Sequence, residues 1–361
     1  MLISSICAGT LLACAGKPLI PYTTNTTPMA MLPASQAGIR DDRGRFREIF
    51  CAVVDHHGED LPDHRSCESA LTRVGDEPVS GGGEINLGSS QKNFLVALVP
   101  GLGWECFEGW LESENSGSSH VEGYGYEVIQ LQVDGLSGTE NNARQISEQI
   151  ASLPPEQAGR PIIFLGYSKG APDILQAIVD YPELADKVVA VISAAGAIGG
   201  SPLANDARQS QANFLTKIPK SKCSEGDGGA VNAMKPAVRR KWLAENTLPR
   251  HISYYSVVTF PDPEQISSVL KSSYRKLGEI DARNDSQLIF YDQVIPGSTL
   301  VAYVNADHWA LAVPIARTHS VTAAMFTTKN HYPREALFEA ILRYVEEDLA
   351  DKDQANKELE N

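Results

Sequence analysis

Six apolar runs, each about the length of a strand, constrain this chain more than any other feature. They are Phe94–Pro100, Tyr126–Val133, Pro161–Gly166, Val188–Gly196, Ile252–Phe260 and Thr299–Ala306. The first, FLVALVP, has no alternating polar positions, which is the pattern of a strand buried on both faces in a parallel sheet. Helical segments lie between the runs: Glu140–Leu153, then a helix from Ser168 with Ile174, Leu175, Ile178 and Val179 on one face. Strands separated by helices predict an α/β fold, a mostly parallel twisted sheet with helices on both faces. In such sheets the working residues stand on loops at the carboxyl ends of the strands.

One of those loops carries a motif. Gly166-Tyr167-Ser168-Lys169-Gly170 is a G-x-S-x-G pentapeptide set between an apolar run and an amphipathic helix. A serine on so sharp a turn is pushed out of the backbone surface, and the flanking glycines remove Cβ atoms that would clash. The helix N-terminus beside it favours developing negative charge.

From this point the chain resembles the α/β-hydrolase family, in particular its serine esterases and lipases, over roughly Asn93 to Ala350. The resemblance implies a triad in the chain order Ser, acid, His, with Ser168 as nucleophile. Of the eight histidines, only His308 follows directly on a late run, in Asn305-Ala306-Asp307-His308-Trp309. His319 and His331 are the fallbacks. The acid belongs between the fifth run and His308, among Asp262, Glu264, Asp281, Asp285 and Asp292. Asn284-Asp285-Ser286 resembles the family's Asn-Asp-Gly turn with Ser in place of Gly, which makes Asp285 the first choice and Asp262 the second. For the oxyanion the resemblance implies two backbone N–H groups. One is that of Lys169; the other lies in Pro100-Gly101-Leu102-Gly103, with Leu102 preferred and Gly103 next. No metal or organic cofactor is expected, and the partner is a small-molecule or lipid ester. The same machinery serves thioesterases and serine peptidases, and a silent scaffold that binds a ligand or partner is the alternative from another class.

The first thirteen residues form an uncharged apolar run, too short for a bilayer core of about 30 Å but suited to a secretory leader. Leu11-Leu12-Ala13-Cys14 resembles the bacterial lipobox, so Cys14 is the expected lipid attachment point. The expected localisation is then exported and lipid-anchored, in the bacterial periplasm or at the outer membrane. The expected division is a leader over 1–13, a tether over 14–40, an N-terminal extension over 41–92 and a hydrolase domain over 93–361. An insertion at about 205–250, with nine Lys or Arg against four Asp or Glu, is the expected cap. Export implies an oxidising compartment. Cys51 with Cys67 is the favoured bridge there, and Cys106 with Cys223 the second. The segment between the first pair holds His56, His57 and His64 among acids, but not at metal-type spacing, and reads as a solvated polar loop. The net charge of −14 makes nucleic acid an improbable partner.

Overall fold

The structure is a computed structural model that describes residues 36–81, 83–106, 117–213, 216, 223, 225–318 and 327–360. Cys14, the leader, most of the tether and His319 lie outside them. No described helix is long and apolar enough to cross a membrane.

Seven parallel strands make one sheet: β1 (Arg40–Asp41), β2 (Leu95–Val99), β3 (Glu127–Gln130), β4 (Ile162–Tyr167), β5 (Val188–Ala194), β6 (Ser253–Thr259) and β7 (Thr299–Val304). Their spatial order is β1-β7-β6-β5-β4-β2-β3. The six apolar runs mark β2 to β7, with β4 ending one residue past its run, at Tyr167. β1 is new: two polar residues, Arg40 and Asp41, that pair in parallel with Thr299 and Leu300.

The main helices are α1 (Arg43–His57), α2 (Gly117–Glu122), α3 (Thr139–Ala151), α4 (Gly170–Asp180), α5 (Pro236–Glu245) and α6 (Arg334–Glu360). Alternate residues of each strand feed opposite layers. Val96 and Ile163 join Phe46 and Phe50 of α1 and Ala340 and Tyr344 of α6. Ala97, Ile162 and Phe164 join Ile146 of α3 and Ile174 and Ile178 of α4. Burial on both faces is why these runs lack alternation.

Residues 41–92 are built into this body. α1 packs along α6, and Arg45 grips Glu347 through two hydrogen bonds of 2.6 and 2.8 Å. Disulfides join Cys51 to Cys67 and Cys106 to Cys223.

In the topology, β2 lies between β3 and β4. The chain therefore crosses from one side of β2 to the other, and the carboxyl ends of β2 and β4 flank the crevice where such sheets bind ligands.

Candidate active site

Ser168 sits at that crevice, just past β4, with φ at 53°. This left-handed conformation costs a residue with a side chain about 1 kcal/mol or more, and the surrounding backbone must hold it. It does so through Ser168 N–H on Ala194 O at 3.1 Å and Ala197 N–H on Ser168 O at 3.0 Å. The flanking glycines are required by contact. A Cβ on Gly170 would lie 2.2 Å from Val99 O, and one on Gly166 would lie 2.6 Å from the Ala171 backbone.

His308 reaches Ser168 from the loop after β7. Its Nε2 lies 2.9 Å from Ser168 Oγ, and its Nδ1 lies 2.7 Å from Asp285 Oδ2. A carboxylate only accepts, so Nδ1 carries the proton and Nε2 is free to accept from the serine hydroxyl. Ser168, Asp285 and His308 are all buried. Asp285 Oδ1 accepts from the N–H groups of Gln287 and Leu288 at 2.9 and 2.7 Å, and Thr259 Oγ1 donates to Oδ2. Gln293 braces Thr259 in turn, accepting its N–H at 2.7 Å. Neither Thr259 nor Gln293 belongs to a local motif, so neither is marked in the sequence. Tyr167 lies against the imidazole and donates its hydroxyl to His308 O at 2.7 Å.

The other candidates are engaged elsewhere. Asp262 accepts from Asn305 Nδ2 at 2.8 Å, Asp281 holds Arg283, and Asp292 faces Arg240. Glu264 lies in a short turn, Pro263–Gln265. Asp307 caps the helical turn His308–Ala312 and accepts from Ser267 N–H. His331 is bound to Asp63.

Gly101 passes Ser168 closely: a Cβ there would be 3.0 Å from the serine Cβ. Of the next two N–H groups, that of Gly103 donates to Gly135 O at 3.2 Å. That of Leu102 has no acceptor among the described residues. The Lys169 side chain turns away from the crevice and pairs with Asp173 at 2.8 Å, both groups fully buried. Burial pushes the Asp173 carboxyl up, and the Lys169 ammonium opposes that rise.

A cavity of about 350 Å³ is walled largely by apolar groups that include Pro100, Trp104, Leu311 and Phe338; Tyr167, the neighbour of Ser168, lines it, while Ser168 and His308 do not. None of the described residues of the 205–250 insertion lines it. They contact the loop after β3 instead, where Asp227 accepts from Gly138 N–H at 2.8 Å. Of the insertion's basic residues, Arg240 faces the body acid Asp292, while Arg239 is buried against Trp242.

A parallel sheet with a strained serine between β4 and α4, faced by a histidine and a carboxylate from later loops, defines an α/β hydrolase. Among solved structures, the metagenomic carboxyl esterase MGS0156 is 42% identical to this chain, with a TM-score of 0.83 over 90% of this chain and 97% of its own. The mature form of the Bacillus licheniformis lipase BlEst2 shares the fold at 19% identity, with a TM-score of 0.50 over 68% of this chain and 95% of its own. So does the Staphylococcus hyicus lipase, at 12% identity and a TM-score of 0.53, over 76% of this chain and 100% of its own. No protein-family model and no curated protein sequence matches. The chain belongs to the α/β-hydrolase family of esterases and lipases.

Proposed function

We propose that this protein hydrolyses carboxylic esters through Ser168, Asp285 and His308 by way of an acyl-enzyme. The observation that carries the reading is the line of contacts Ser168 Oγ–His308 Nε2 and His308 Nδ1–Asp285 Oδ2, 2.9 and 2.7 Å long. His308 Nε2 takes the proton of Ser168 as Oγ attacks the ester carbonyl. The oxyanion settles on the backbone N–H groups of Leu102 and Lys169. His308 then gives its proton to the departing alcohol. Water, activated by the same imidazole, attacks the acyl-serine and releases the acid. Asp285 holds the tautomer and stabilises the imidazolium. No step calls for a metal or an organic cofactor.

The apolar walls of the neighbouring cavity support a substrate with an apolar acyl or alcohol portion, whether a small molecule or a lipid. The two disulfides support an oxidising, extracytoplasmic setting. The lipobox-like sequence supports lipid anchoring at Cys14. The reading of 205–250 as the cap rests on its place in the sequence alone, between β5 and β6.

A fluorophosphonate probe tests the nucleophile: wild type should be labelled and Ser168→Ala should not. Equal labelling of the two, or none of wild type, rules the mechanism out. A p-nitrophenyl ester series from short to long acyl chains, set against matched amides, then defines the substrate class.

A further inference from the structure

We propose that His57, His120 and Glu339 form a binding site for a divalent transition metal ion, Zn²⁺ by ligand type, behind one wall of the apolar cavity. The three residues come from three elements: the last residue of α1, α2, and the second turn of α6. One potential ligand atom from each lies within 4.8 Å of the others. Both imidazoles aim the same nitrogen at the same oxygen, with His57 Nε2 2.8 Å and His120 Nε2 2.7 Å from Glu339 Oε2. Ligands about 2.0–2.2 Å from a tetrahedral zinc ion stand roughly 3.3 Å apart. The two Nε2–Oε2 contacts must therefore lengthen by roughly half an ångström, and the two imidazole nitrogens, within 4.8 Å of each other, must settle at the same spacing to admit the ion.

The surroundings suit a metal ligand set. The second carboxylate oxygen, Glu339 Oε1, accepts from Arg343 Nε at 2.7 Å. Arg343 is itself held by the carbonyls of Asn86, Leu87 and Gly88 and by the ring of Tyr124. Such outer contacts orient a carboxylate for its ion. The Glu339 side chain is wholly buried, while His57 and His120 keep 11% and 13% exposure. An ion thus has a route in from solvent, and water has access to a fourth position. Two imidazoles and one carboxylate, with an open position, favour zinc over a hard cation such as Ca²⁺.

The site fastens one wall of the cavity. Gly117 and Ser118 of α2 and Phe338 of α6 line that cavity. An ion on His120 and Glu339 would lock the two helices together there and tie both to α1. The inference does not depend on the proposed ester chemistry. It also revises the reading of the polar loop: His56 and His64 are exposed, but His57 faces inward.

The test uses the whole protein. Wild type is stripped with a chelator, dialysed and reloaded with Zn²⁺, then assayed for metal content, for affinity against a chromogenic chelator, and for Tm. One ion per chain is expected, with Tm lowered by stripping and restored by reloading. The double variant His57→Gln, His120→Gln keeps amide donors for Glu339 but removes both imidazoles. Its affinity should fall by more than the roughly 10–100-fold that losing an outer partner costs. X-ray absorption at the zinc edge of wild type should show two imidazole nitrogens at about 2.0–2.1 Å. That last measurement needs no variant, so a misfolded double variant leaves the proposal open to refutation. Reloaded wild type without a bound ion, an ion with oxygen ligands only, or equal affinity in a folded double variant would each overturn it. The cluster would then be a hydrogen-bonded His–Glu–His group alone.

Discussion

Thr259 Oγ1 donates to Asp285 Oδ2, the same oxygen that faces His308 Nδ1. The end of β6 thereby fixes which way the carboxylate of a later loop points. Replacing Thr259 with Val removes this donor and keeps the β-branched shape. A hydrogen bond to a charged group contributes about 1.5–3 kcal/mol, and part of that should appear as about a tenfold loss in kcat. Asp285→Asn disturbs the imidazole tautomer itself and should cost about 10⁴ in kcat. Hydrolysis of a p-nitrophenyl ester by both variants checks the order. If Asp262→Asn costs more than Asp285→Asn, the acid has been misassigned.

The strands were legible because their physics is local. Burial on both faces leaves a run such as FLVALVP that needs no partner to be recognised, and β2 falls inside it. Ser168 was legible for a similar reason, since its strained turn demands glycine at 166 and 170. What escaped depends on distant contacts. β1 is two polar residues whose pairing with β7 leaves no periodic trace. The insertion of α1 into the core could not be read from residues 41–92 alone, because its partner α6 lies at the other end of the chain. His57 and Glu339 are 282 residues apart and share no spacing rule. Nor does the local sequence show the one contact that distinguishes the Leu102 and Gly103 N–H groups, Gly103 N–H to Gly135 O.

That hydrogen bond leads to a test of the oxyanion assignment. Leu102→Pro deletes the N–H that has no acceptor among the described residues, while Leu102→Ala keeps it. The Pro variant should lose about 10²–10³ in kcat with little change in fluorophosphonate labelling at long times. The Ala variant should stay within a few-fold of wild type. Similar kcat values for the two folded variants would remove Leu102 from the role.

The two disulfides close loops of very different size, with separations of 117 residues for Cys106–Cys223 and 16 for Cys51–Cys67. In the chain-entropy picture the longer loop contributes about 4–5 kcal/mol and the shorter about 3 kcal/mol. Paired Cys→Ser variants should therefore rank in that order in chemical denaturation. The Cys106–Cys223 bridge also ties the insertion to the turn beyond Leu102. Its loss should affect kcat as well as stability, whereas loss of Cys51–Cys67 should affect stability alone.

Asp292 should make the protein less stable as the solution turns from acid to neutral. Burial raises its carboxyl from 3.8 to about 6, with Arg240 opposing the rise, and its Oδ2 has no partner among the described residues. Between those two values the native state holds more protons than the unfolded state, so stability falls as pH rises through that window. The penalty is complete above about pH 6 and is on the order of 3 kcal/mol at most. Asp292→Asn should raise the Tm at pH 7 to 8 and flatten its slope between pH 4 and 6. An unchanged slope would mean that Asp292 is solvated or paired in solution.

Ser286 follows Asp285 with φ at 82°, in the left-handed region, and its hydroxyl is buried without a partner among the described residues. Both features oppose a serine here. The conformation costs a residue with a Cβ about 1 kcal/mol, and a buried unpaired hydroxyl adds to that. Glycine removes both penalties but regains some freedom in the unfolded chain, which offsets part of the gain. Ser286→Gly should therefore be stabilising by about 1 kcal/mol, or about 2 °C in Tm for a domain of this size. Ser286→Ala separates the two causes, since it loses the hydroxyl and keeps the strained φ. If Ala gains as much as Gly, the hydroxyl accounts for the effect. If only Gly gains, the backbone does, and the turn that presents Asp285 to His308 is held under strain by its surroundings. Activity distinguishes one more consequence. Ser286 N–H donates to Asn284 Oδ1 at 3.0 Å, a contact that glycine preserves. The carboxylate should therefore keep its aim, and kcat for Ser286→Gly should match wild type while the Tm rises.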